Sequence, residues 1–75
     1  MTRLPRITGK ELARIVGKFG FVHSHTLGSH AVYIHPDGRK TVIPVHAGEE
    51  IGPGLLNKII KKDLAVTRDE FLSKV

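Results

Sequence analysis

The stretch SHAVYIHPDGRKTVIPV, Ser29 to Val45, constrains the fold more than any other part of the chain. Two runs suited to strands, Ser29–His35 and Lys40–Val45, flank Pro-Asp-Gly-Arg. Proline presets φ in a turn and glycine accepts positive φ, so Pro36–Arg39 folds the chain back and makes the two runs a hairpin. Pro44 cannot donate to a ladder, which places the second run at a sheet edge or ends it there. A third strand-like run, FVHSHT (Phe21–Thr26), precedes them and ends at the turn Leu27-Gly28. Alternation along the central run puts His30, Val32 and Ile34 on one face and Ala31, Tyr33 and His35 on the other.

Helices flank these strands. In TGKELARIVGKFG, Thr8 and Glu11 have the spacing of a capping box, in which each side chain satisfies a backbone N–H of the other residue. Leu12, Ile15, Val16 and Phe19 then form one apolar stripe, and Gly20 is placed to close the helix. Gly17 lies inside it, where it weakens the helix slightly and would allow close packing against a sheet. After the loop HAGEEIGPG, Pro53 suits a first helical turn, and Leu55, Leu56, Ile59 and Ile60 make a second stripe, with Lys58, Lys61 and Lys62 around it. Thr67 and Glu70 repeat the capping box before a last short helix, whose inward side is Phe71, Leu72 and Val75. The expected order is α-β-β-β-α-α, an α+β domain with helices on one face of an antiparallel sheet and the other face open. Residues 1–75 fit one small domain with no linker, repeat or low-complexity segment.

With no cysteine, disulfides cannot supplement so small a core. The opening MTRLPRITGK lacks the apolar centre of a signal peptide, and no run reaches the length of a membrane span, so a cytoplasmic protein is expected. Twelve Lys and Arg against seven Asp and Glu give a net charge of +5. Such an excess attracts polyanions, nucleic acid above all.

Five histidines carry the remaining chemistry. Their spacing fits no zinc signature, so no metal or other cofactor is expected. His23 and His25 would share one face of a regular strand and could chelate as a pair; solvated histidines on an edge strand are the plainer reading. Histidine exchanges protons near neutral pH, as metal-free RNA cleavage requires of the base that deprotonates a 2′-OH. His30 is the best candidate, because it follows Gly28-Ser29, where the backbone can approach a phosphate closely. His35 beside Pro36 reads as a structural turn residue or a phosphate contact. His46 ends the third run. Ser29 and His30 are adjacent in a strand and point to opposite faces, so they are not a nucleophile and its base.

The stretch GKELARIVGKFGFV and the later GSHAVYIHPDGRKTVIPVHAGEEIGPGLLNKIIKK resemble the HicA-type mRNA interferase toxins over about residues 9–71. The motifs are G-F after the first helix, G-S-H, H-P-D-G-R, P-x-H, and E-I-x-P-G-x-L before I-I-K-K. The resemblance implies a double-stranded-RNA-binding-domain-like fold and a small endoribonuclease toxin of a type II toxin–antitoxin pair, with His30 of G-S-H as the catalytic residue. It also implies a HicB-type antitoxin that masks this histidine and supplies the DNA contacts of the pair. The chain departs from many relatives at His25-Thr26-Leu27 and at Val45, where basic or amide residues are common.

On this reading His30 is the general base on single-stranded mRNA. Gly28, Ser29, Arg39, Lys40, His46, Lys58 and Lys61 are the expected RNA contacts, and His46, Lys40 or a water the acid. Ala31 and Tyr33 would face the helices. Val32 and Ile34 would lie exposed beside His30 on the open face and form the antitoxin surface. A non-catalytic RNA-binding module of the same fold, or an inactive relic that keeps only antitoxin binding, accounts for the charge and the fold equally well.

Overall fold

The computed structural model describes residues 4–75; residues 1–3 of the expected domain and of the opening segment lie outside them. Helix α1 (Gly9–Lys18) starts as its capping box requires: Thr8 N–H donates to Glu11 Oε1 at 2.9 Å, and Glu11 N–H to Thr8 Oγ1 at 3.2 Å. It ends in a Schellman arrangement, with Phe21 N–H bonded to Val16 O and Gly20 N–H to Gly17 O. Gly20 sits at φ +93°, a conformation that costs other residues strain.

Strands β1 (Val22–Leu27), β2 (His30–Ile34) and β3 (Lys40–Pro44) form one antiparallel sheet in the order β1-β2-β3. Pro44 is the last residue of an edge strand, where its missing N–H is tolerated. In the second hairpin His35 N–H donates to Arg39 O at 2.8 Å across the Pro-Asp-Gly turn. Helix α2 (Pro53–Lys58) has proline at its first position and continues as a π-helical segment, Ile59–Asp63, in which Leu64 N–H reaches back five residues to Ile59 O. Helix α3 (Arg68–Leu72) has the second capping box, Thr67 with Glu70. The order and the open sheet are those of the expected α+β, double-stranded-RNA-binding-domain-like fold.

Leu12, Ile15 and Val16 of α1 meet Phe21, Ile43, Leu56, Ile59, Ile60, Leu64 and Phe71 in one buried cluster. The π segment places Ile59, Ile60 and Leu64 inward together, while Leu55, expected in the same stripe, stays 38% exposed. Val75 is exposed as well, so α3 contributes chiefly Phe71. Gly9, not Gly17, makes the close approach of α1 to the sheet: a Cβ on Gly9 would lie 2.0 Å from Pro44 O, whereas one on Gly17 would meet nothing within 4 Å.

Candidate functional site: a sheet with two unequal faces

The register sorts the strand residues. Ala31 pairs with Ile43 and Tyr33 with Thr41, and these side chains face the helices. His30, Val32 and Ile34 therefore face away, beside Pro44, Val42 and Lys40 of β3 and Leu27, His25 and Val22 of β1. That open face is apolar for its size: Val22 (63%), Leu27 (67%), Ile34 and Val42 are all exposed. Val32 corrects the expectation of an exposed pair. It lies on the open face by register but is buried, as the middle residue of the central strand with His25 and Val42 across from it.

Strand β1 brings a second correction. Its register slips between His23, opposite Tyr33, and His25, opposite Val32, so Ser24 is a bulge. The bulge sends His23 to the helix side and leaves His25 on the open face. The two histidines do not share a face, and that pair is not a chelate. Among the described residues, no three side chains of the metal-ligating types gather in one place.

His30 is exposed at the sheet end, directly after the turn Gly28-Ser29 that joins Leu27 to its partner His30. Gly28 makes this turn at φ +61°. Among the described residues no side-chain hydrogen bond engages His30, so its ring nitrogens are available to a ligand. Ser29 next to it faces the other way. Its carbonyl accepts Val45 N–H at 2.7 Å, and its Oγ is hydrogen-bonded to His46 Nε2 at 3.0 Å. Glu49 Oε2 lies 3.9 Å from His46 Nδ1. Gly28, Ser29, His30 and His46 thus come together at one end of the sheet.

The expected basic contacts do not join them. Lys40 shares the open face but pairs with Ile34, four strand positions or roughly 13 Å from His30. Arg39 is engaged where it stands: Nε donates to Asp37 Oδ2 at 2.8 Å, Nη1 donates to Leu64 O, and the guanidinium lies over the Phe21 ring. The Arg39 backbone N–H, more than its charge, holds the Asp37 carboxyl below the usual aspartate range. Lys58 donates to Asp63 Oδ2, which also accepts the buried Thr41 hydroxyl on the helix side. Lys61 is exposed on the π segment. His35 is structural. Its ring packs edge-on against Phe21 at 5.2 Å and its Nδ1 accepts Asp37 N–H.

On the helix side, α1 covers β3 and leaves part of β1 and β2 bare. A cleft of about 600 Å³ opens there, lined among others by Lys10, His23, Thr26, Tyr33 and His46; His30 is outside it. Lys10, Thr26 and the ring of Tyr33 were not marked as site residues by the sequence pattern, because the bulge that brings His23 to their side of the sheet has no residue signature.

A family model described as the HicA toxin of bacterial toxin–antitoxin matches residues 9–64, from the first residue of α1 to the residue after the π segment. No curated protein matches the chain. The matched span covers the sheet, both faces and the turn that presents His30, and the chain belongs to the HicA toxin family of bacterial toxin–antitoxin systems.

Proposed function

We propose that the chain is a metal-independent endoribonuclease toxin in which His30 is the general base. The observation that carries this reading is an exposed histidine with no competing side-chain hydrogen bond among the described residues, at a glycine turn in a chain of net charge +5. His30 takes the proton from a ribose 2′-OH. The 2′-oxygen then bonds to phosphorus, and the bond from phosphorus to the 5′-oxygen breaks. The products are a 2′,3′-cyclic phosphate and a 5′-hydroxyl that is protonated from water or from an acid such as His46. Gly28 and Ser29 contact the scissile phosphate, and Lys40 binds a phosphate further along the open face. Arg39, Lys58 and Lys61 add to the general attraction for RNA.

The same face serves the antitoxin. Leu27 lies beside His30, and Val42 and Ile34 lie beside the buried Val32; a HicB-type protein laid on this apolar surface excludes RNA from His30. The test is incubation of a labelled single-stranded transcript with the wild type and His30→Ala in EDTA. Cyclic-phosphate products from the wild type, and at least a hundredfold slower cleavage by a folded His30→Ala, are expected. Equal rates would remove His30 from the mechanism. RNA binding without any cleavage would leave a non-catalytic RNA-binding module.

A further inference from the structure

The helix-side cleft has a chemistry that His30 does not use. Its floor is small, at Ala31, and its far wall is the loop that contains His46. Its aromatic surface comes from Tyr33, with the His23 ring set edge-on at 5.4 Å and 67°. Beside them His23 Nε2 and Thr26 Oγ1 are hydrogen-bonded at 2.7 Å, a donor–acceptor pair exposed to solvent. Lys10 lines it as well, and no carboxylate is among the described lining residues. A volume of about 600 Å³ is ordinary for a small-molecule site. Aromatic surface, a polar edge and a cation with no carboxylate among the described lining residues suit one flat heterocycle that has an anion attached.

The cleft also connects with the reactive end of the sheet. His46 lines it and is bonded to Ser29, the residue immediately before His30. His30 and the cleft thus lie on opposite faces of the same strand end, joined around the Gly28-Ser29 turn. We propose that the cleft binds one unpaired nucleobase of the RNA, next to the phosphate presented to His30, and so contributes to the choice of cleavage site. This rests on the endoribonuclease reading and adds to it a base subsite on the other face. Proteins that bind single strands take up splayed bases on aromatic side chains and read their edges with hydrogen bonds.

Two variants test it: Tyr33→Leu, which removes the aromatic surface, and Thr26→Val at an exposed position, which removes the polar edge. In a His30→Ala background, fluorescent RNA tetranucleotides that differ in one base are titrated by anisotropy, and amide shifts are mapped by NMR. The expected result is shifts at His23, Thr26, Ala31 and Ala47, affinity that depends on the base, and about tenfold weaker binding by Tyr33→Leu. Thr26→Val should flatten the base preference. Unchanged affinity and preference in both variants, with shifts confined to the open face, would overturn the subsite. Cleavage patterns on a long transcript separate the two readings. If cleavage proceeds and its sites are the same in both cleft variants, the subsite fails and the endoribonuclease stands. If nothing is cleaved but tetranucleotides still shift the cleft, the endoribonuclease fails and the base site stands.

Discussion

Replacing Gly9 with alanine should destabilise the fold, although the same change in most helices stabilises it. The new Cβ would lie 2.0 Å from Pro44 O, 3.0 Å from Pro44 C and 3.1 Å from Val45 Cα. Comfortable separations are roughly 3.5 Å, so α1 must withdraw from β3 by more than about 1 Å. All three obstructing atoms are backbone, and no side chain can swing away. Overpacking of this kind costs about 2–3 kcal/mol, against a gain of about 0.5–1 kcal/mol from removing glycine from a helix. Gly17→Ala is the internal control, being exposed in the same helix with nothing within 4 Å of its Cβ; it should stabilise by about 0.5–1 kcal/mol. The gain from removing glycine is common to both variants, so they should differ by the overpacking cost, about 2–3 kcal/mol. With a urea m-value near 1 kcal/mol per M for a domain this small, their midpoints should lie about 2–3 M apart, on either side of the wild type. Equal midpoints, or a stabilised Gly9→Ala, would refute the claim that the backbone contact at Gly9 sets the seat of α1.

Three further outcomes are expected. The carboxyls of Glu11 and Glu70 are held below the ordinary glutamate value, first by the backbone N–H of Thr8 and Thr67 and then by their hydroxyls. A lowered folded-state value gives stability that is present above the unfolded value and lost as pH falls through the folded one. Urea midpoints should therefore drop below about pH 4.5, and Glu11→Gln with Glu70→Gln should flatten that drop; an unaltered acid slope would rule the caps out as its source. Arg39→Ala should cost about 1–2 kcal/mol, since it removes hydrogen bonds to Asp37 and Leu64 and the cation over Phe21. Thermal denaturation reads the loss, and unchanged stability would return Arg39 to the RNA contacts. Ile34→Asp and Val42→Asp alter half-exposed positions on the open face. They should leave the fold intact and weaken the complex with a HicB-type antitoxin at least tenfold by calorimetry; undiminished binding would move the antitoxin elsewhere.

What could be read in advance divides along the range of the interactions. Both capping boxes, the Gly20 terminus, Pro53 and the Pro-Asp-Gly turn depend on residues within five positions of each other, and all form as their local chemistry demands. The faces of β2 also follow from parity alone. Burial does not: Val32 is covered because β1 and β3 both flank it, and nothing in its own strand encodes that. Arg39 looked like a free cation because its second acceptor, Leu64 O, is 25 residues away and the Phe21 ring beneath it comes from another strand end. Gly17 and Gly9 differ only in what packs on them, and that too is a property of the folded chain.

Of these non-local features, the Ser24 bulge bears most directly on the proposed base subsite. Without it, strand parity would put His23 with His25 on the open face and leave Tyr33 facing a cleft with no ring beside it. One extra residue in β1 instead gives each face its own histidine: His25 beside the apolar surface around His30, and His23 beside Tyr33. Deleting Ser24 would leave this division intact, since His23 and His25 would then be adjacent and still alternate, so the test is His23→Leu, which removes the helix-side ring and keeps the bulge. If His23→Leu folds and keeps the same cleavage sites, the helix-side ring takes no part in reading RNA. If the sites change while cleavage persists, the helix side takes part in reading RNA, and the open face is left to His30 and the antitoxin.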